Sequence, residues 1–263
     1  MIAIVGDLHG CPESLKLITS FLGFTDADDN WTAENCCLVV TGDACDRGHD
    51  SASIYRNLIK WQSQAVQLDS EVVFVLGNHE IMNIRGELYY NTPAETASYG
   101  DGSVDGAAAK QTAFSRGGWL HEWLVQQPFI VRRGPFIVAH ADFPASYSGL
   151  TLEEIELLSR RYLSRRRLKY SDPDPLIWSR EAMLPSPGYR AALESFLELN
   201  GAQCWICGHT PSMDGLFRRL FNDRYICVDT AMMLGLSNTS VLTWEHDNAE
   251  AVYLDGSGSI RST

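Results

Sequence analysis

The sequence predicts an α/β fold. Short apolar runs rich in β-branched residues, helical apolar spacing between the first of them, and glycine-bearing polar segments directly after them all point to it. The chain has 263 residues, 45% of them hydrophobic, which suits a substantial core in one large or two small domains.

IAIV (2–5), CLVV (37–40) and VVFVL (72–76) read as strands buried on both faces. Between the first two, PESLKLITSFLGF opens on Pro12 and carries apolar residues at 15, 17, 18, 21, 22 and 24, a helix with proline in its first turn. ASIYRNLIKWQ (52–62) repeats that periodicity. The resulting β-α-β-α-β order predicts parallel strands joined by crossover helices. Residues 91–106 are polar and glycine-rich and read as a loop, after which Trp119/Trp123 and Leu120/Leu124 restore helical pairing. FIV (129–131) and FIVAH (136–140), split by Gly134-Pro135, read as a hairpin. TLEE (151–154) is a capping box, and PGYRAALESFLELNG is a helix ended by Gly201. CWIC, LFRRLF, RYICV, SVLTWE and AVYLD complete a β-rich second half. The expected organisation is one domain over 1–255 with a helical insertion at about 85–128, then a flexible tail at 256–263.

A net charge of −12 disfavours nucleic acid and anionic membranes as partners. No apolar run is long enough to span a bilayer, and the start MIAIVGDLHG lacks the basic segment of a signal peptide. Seven cysteines at unpatterned spacings predict reduced thiols and a cytoplasmic protein. Cys204 and Cys207, three apart on a strand, face opposite ways and read as buried thiols rather than a redox or zinc pair.

The chemistry gathers where the apolar runs end. In open α/β sheets, ligands collect at the carboxyl ends of strands. Asp7 and His9 follow the first run, Asp43 the second, Asn78 and His79 the third, and His140 and His209 two later ones. Singly, each is a core residue, a surface residue or a helix cap. Together, oxygen and nitrogen donors recurring at five strand ends form a set suited to hard divalent cations.

GDLHG, GDACDRG, GNHE and GHT together resemble the phosphoprotein phosphatase branch of the calcineurin-like metallophosphoesterases, from about residue 2 to about residue 235. GNHEIMNIRGELYYNTPAE and PLIWSREA narrow the resemblance to the Shewanella-like protein phosphatase subgroup. It implies a central two-sheet β sandwich flanked by helices. It also implies two divalent metal ions, manganese in the first place, with iron, zinc or nickel as alternatives. Asp7, His9 and Asp43 would hold the first, and Asp43, Asn78, His140 and His209 the second, with Asp43 bridging. Arg47 and Arg180 would bind substrate phosphate, while His79 acts as general acid and Asp46 orients it.

The implied reaction is hydrolysis of a phosphate monoester by a hydroxide bridging the two metals, without a phosphoenzyme. The expected partner is a phosphoprotein or phosphopeptide, on serine/threonine or tyrosine. A dinucleoside polyphosphate or other nucleotide substrate, and a non-catalytic scaffold on the same fold, stand as rivals. One departure is His140-Ala141-Asp142, where the family usually has two glycines after the histidine, and Asp142 would either cap a turn or influence substrate choice. Asp229 would support a metal-site histidine or serve as a turn residue, and the arginine-rich stretch SRRYLSRRRLKY reads mainly as a solvated helix face paired with Glu153, Glu154 and Glu156.

Overall fold

A computed structural model describes residues 1–102, 105–164 and 174–261. In its first half, β1 (Ile2–Val5), α1 (Pro12–Phe21), β2 (Cys37–Val40), α2 (Ser51–Ala65) and β3 (Glu71–Phe74) follow the predicted alternation. Then come α3 (Asn78–Ile84), α4 (Pro93–Ala97), α5 (Gly106–Phe114) and α6 (Trp119–Leu124). The hairpin is β4 (Ile130–Arg133) and β5 (Phe136–Ala139), followed by α7 (Leu152–Ser164), α8 (Pro175–Trp178) and α9 (Tyr189–Leu199). The remaining strands are β6 (Cys204–Cys207), β7 (Arg218–Leu220), β8 (Tyr225–Cys227), β9 (Ser240–Glu245) and β10 (Asn248–Tyr253).

Two five-stranded sheets result, ordered β10-β9-β1-β2-β3 and β4-β5-β6-β8-β7. Each has a parallel centre, β1-β2-β3 in one and β5-β6-β8 in the other, with antiparallel strands outside it. Strand periodicity divides the core. Ile4, Val39 and Val73 meet Val138, Ile206 and Ile226 between the sheets, whereas Ala3, Val5, Leu38, Val40 and Phe74 belong to the larger apolar cluster that includes residues of α1 and α2. The sandwich flanked by helices implied by the sequence is the architecture observed.

The same alternation puts Cys204 in the inter-sheet cluster and Cys207 in the other, and all seven cysteines are free thiols. Among the described residues, no helix is long and apolar enough to cross a membrane.

Local chemistry explains the boundaries. Pro12 begins α1, and the Asp50 carboxylate caps α2 by accepting from the Ser53 amide at 2.9 Å. Thr151 and Glu154 form the expected reciprocal box at the start of α7, at 3.3 and 2.8 Å. The stretch 91–106 is not all loop. Thr92 caps α4 through the Glu95 amide at 3.1 Å, with Pro93 at its first position, a start signal hidden by the surrounding polarity. Asn78 and His79 lie on the first turn of α3 rather than on the strand, because pairing of β3 stops at Phe74. The tail, expected to fray, turns back through a Leu254–Ile260 bridge, and Arg261 donates to the Ser237 carbonyl at 2.8 Å.

Candidate metal centre

The loops after the parallel strands of both sheets meet at one end of the sandwich. Asp43, buried after β2, is the hub. Its Oδ2 lies 3.4 Å from His140 Nε2 and 3.8 Å from both His9 Nε2 and His79 Nε2. Two buried triads of donors therefore share Asp43: His9–Asp43–His79 and Asp43–His140–His209. Asn78 joins the second, with its Oδ1 2.8 Å from His140 Nε2 and 3.0 Å from His209 Nδ1. Asp7, expected beside His9, is in neither triad. Its carboxylate accepts from the His209 amide at 3.0 Å and from the Thr41 hydroxyl at 3.3 Å.

The donor chemistry fits a cation. His9 Nδ1 lies 2.9 Å from the Cys45 carbonyl, and His140 Nδ1 lies 2.8 Å from the Thr41 carbonyl. A carbonyl can only accept, so each Nδ1 carries a proton and each ring turns its Nε2 toward Asp43. His140 Nε2 then faces the Asn78 oxygen and, at 3.2 Å, His209 Nδ1. Asp43 and the Asn78 oxygen together draw positive charge to this point: burial depresses the His140 imidazole but Asp43 outweighs it and the net shift is upward, and a divalent ion would meet the same acceptors. Burial pushes the Asp7 carboxyl well above the usual range, and the Asp229 and Asp43 carboxylates push it further. Burial likewise lowers His9, to about 4, and lowers His209 with help from His140 and Arg180, so both rings are neutral as ligation requires. His209 lacks the outer carbonyl partner of the other two and is braced by ring contacts with His140 at 4.9 Å and Trp178 at 6.0 Å.

Two glycines make room for this cluster. A Cβ on Gly77 would fall 2.2 Å from Asp43 Oδ1, and one on Gly208 would fall 2.0 Å from Asp7 Oδ1. Neither carboxylate can retreat, being buried and already bonded. Gly208→Ala is therefore expected to displace Asp7, destabilise the fold by about 1–3 kcal/mol, and lower metal occupancy measured on the purified protein. Unchanged stability and metal content would show that the loop yields instead.

Strain concentrates here as well. His9, Asp43, Asp46, Arg47 and His209 all have positive φ, between 41° and 67°. Such backbone costs about 1–3 kcal/mol per residue and persists only where its surroundings hold it. Leu8 and His9 donate their amides to the Asp43 carbonyl at 3.2 and 2.9 Å, knitting the first two loops together. Glu80 fastens the third by accepting from the Asp43, Ala44 and Gly77 amides at 2.9, 2.9 and 3.0 Å and from the Tyr55 hydroxyl at 2.6 Å.

Beside the donors, His79 Nδ1 donates to Asp46 Oδ2 at 2.6 Å. Burial depresses the His79 imidazole, but Asp43 and Asp46 outweigh it and the net shift is upward. Arg47 is exposed, stacks over the Tyr90 ring at 4.9 Å and reaches to 3.4 Å from His79 Nε2. Arg180 donates to the Thr210 hydroxyl at 2.7 Å. Both arginines, His79, Tyr90 and Trp178 line a cleft of about 260 Å³ that opens over Asp43 and Asn78.

The structure thus gathers Asp7, His9, Asp43, Asn78, His140 and His209 at one centre, with Asp46, His79, Arg47 and Arg180 around it. Asp142 is fully buried and away from the cleft. It accepts from the Ala182 amide at 2.9 Å and from the Tyr225 hydroxyl, tying the segment after Arg180 to the end of β5. Asp229 accepts from the Ala231 amide at 2.9 Å and acts on Asp7 rather than backing a histidine. Arg160 is paired with Glu156 at 2.7 Å, while Arg165, Arg166, Arg167 and Lys169 lie outside the described residues.

Sequence reasoning missed Lys110 and Glu95, both buried. Lys110 Nζ donates to Asp46 Oδ1 at 3.0 Å and to Glu95 Oε1 at 2.7 Å. Glu95 gave a signal, as the fourth residue of the capping pattern TPAE, but Lys110 in AAAKQTAF looks like an ordinary solvated helix lysine.

The chain is similar to known proteins along most of its length. The chain is 29% identical over 245 residues to Shewanella-like protein phosphatase 1 of Plasmodium berghei, covering 89% of this chain and 67% of that one. It is 36% identical over 88 residues to Shewanella-like protein phosphatase 2 of Arabidopsis thaliana, covering 34% and 22%. The crystal structure of a cold-active protein-tyrosine phosphatase from a psychrophilic Shewanella species has the same fold, with a TM-score of 0.81 at 20% identity over 99% of this chain and 79% of that one. The sequence profile of the calcineurin-like phosphoesterases matches residues 1–213, a span that takes in every donor from Asp7 to His209, and the chain belongs to that family.

Proposed function

We propose that the chain is a two-metal phosphoprotein phosphatase of the reducing cytoplasm, hydrolysing phosphate monoesters of serine/threonine or tyrosine. The observation that carries this is the convergence of His9, Asn78, His140 and His209 on Asp43 at the floor of a cleft walled by two arginines. The names of the relatives support a protein substrate.

Asp7, His9 and Asp43 would hold one ion, and Asp43, Asn78, His140 and His209 the other, with manganese first among manganese, iron, zinc and nickel. Such a pair supplies an activated water and positive charge facing the phosphate. The protein does the rest. Arg47 and Arg180 bind the phosphate oxygens with planar, permanently charged forks, offsetting the acidic surface. Tyr90 beneath Arg47 limits where that side chain can go. His79 passes its Nε2 proton to the leaving-group oxygen and keeps its Nδ1 proton, which it donates in a hydrogen bond to Asp46.

The test is metal analysis of the purified protein beside a substrate panel with added manganese. Phosphoserine, phosphothreonine and phosphotyrosine peptides are expected to be hydrolysed in preference to a dinucleoside tetraphosphate. Preference for the dinucleotide would favour a nucleotide phosphatase, and inactivity on every substrate with both ions bound would favour a binding scaffold.

A further inference from the structure

The insertion brings to the site a buried cation for which the scheme above has no role. Lys110, on α5, is 1% exposed. Its ammonium has three protons and three acceptors: Asp46 Oδ1 at 3.0 Å, Glu95 Oε1 at 2.7 Å and the Asn91 amide oxygen. No donor is left over, so the position of Nζ is fixed by its partners.

Asp46 is equally committed. Its Oδ2 receives His79 Nδ1 at 2.6 Å and Asn83 Nδ2 at 3.0 Å, which leaves Oδ1 for Lys110. Asp46 and Glu95 are both fully buried and share this one ammonium. A buried carboxylate remains an effective partner for imidazole only if its own charge is met. Glu95 also accepts from the Asp46 amide at 2.8 Å and the Ser51 hydroxyl at 2.6 Å, holding the backbone where Asp46 and Arg47 both have left-handed φ. The Arg47 amide in turn donates to the Tyr90 carbonyl at 3.0 Å.

We propose that Lys110 is a positioning residue for the proton donor: by fixing Asp46 from behind, it sets the direction of His79 Nε2. The inserted segment would then control the leaving-group step as well as form a wall of the cleft. The proposal rests on His79 being the general acid.

Lys110→Met keeps the stem and removes the charge. Its kcat on a phosphoserine peptide is expected to fall about 10²-fold, the low end of what general acid catalysis contributes. On 4-nitrophenyl phosphate, whose leaving group needs no proton, the fall should be under about threefold, with KM unchanged for both. Because the single variant strands two buried carboxylates, Lys110→Met/Glu95→Gln is measured beside it. That double variant removes one charge of each sign and should keep the substrate-selective loss.

Proton NMR of the protein loaded with zinc, which is diamagnetic, gives a readout independent of turnover. The downfield Nδ1 proton of His79, assigned by its loss in His79→Asn, should move upfield in both variants. This separates failure of the proposal from failure of the phosphatase assignment. Equal losses on the two substrates, an unmoved His79 resonance, or a double variant that does not fold would each overturn it and make Lys110 a structural brace.

Discussion

Asp43→Asn is expected to lose most of the bound metal and nearly all phosphatase activity. The substitution preserves shape, and the oxygen of the new carboxamide can still accept from the His79 amide, which meets Asp43 Oδ1 at 3.0 Å. What it removes is the one charge common to both triads. A unit charge at about 4 Å from an opposing charge is worth about 4 kcal/mol near a protein surface, so affinity should fall at least about a thousandfold. Inductively coupled plasma analysis after dialysis reads the metal, and turnover of a phosphopeptide reads the activity. A variant that keeps two ions and turns over normally would show that Asp43 does not bridge.

His79→Asn is expected to spare the metals and penalise substrates according to their leaving groups. On phosphoserine, where an alkoxide must be protonated, kcat should drop by about 10²–10⁴-fold. On an aryl phosphate it should change much less. Two contacts give His79 this assignment: Nδ1 is engaged by Asp46, while Nε2 remains on the cleft side, 3.4 Å from Arg47 Nη2. Its Nε2 is also 3.8 Å from Asp43, so the ring could serve as a ligand instead. Loss of one metal equivalent with equal damage to both substrates would identify that role.

The sequence made the centre legible because its donors follow apolar runs that could only be strands, and strand ends in an α/β fold converge. Asp7, Asp43, His140 and His209 carry that signal directly. Asn78 and His79 carry it too, following β3 as expected, though the sequence did not show that they open a helix, α3. What stayed hidden was the support. Lys110 is a good helix former in a run of small residues, and nothing local marks it as buried. Its three acceptors come from Asp46, Asn91 and Glu95, which only the folded chain assembles. The left-handed conformation of His9, Asp43, Asp46, Arg47 and His209 was also unreadable: Asp and His adopt it more readily than most residues, but nothing local marks which of them do. Asp142 shows the converse: its position beside His140 suggested a turn cap or an influence on substrate choice, and its side chain turns into the protein to meet Ala182 and Tyr225.

The bond from the His209 amide to Asp7 joins positions 202 residues apart, and His140 meets Asn78 across 62. Closing loops of that size before anything else has formed is entropically unfavourable, and contacts so distant along the chain accumulate slowly. The cage is therefore expected to close late in folding, after the greasy interior has formed. Unlike a zinc finger, whose nucleation depends on its metal, this protein should acquire its shape first and its ions afterwards, so the supply in its surroundings can decide which ions it carries.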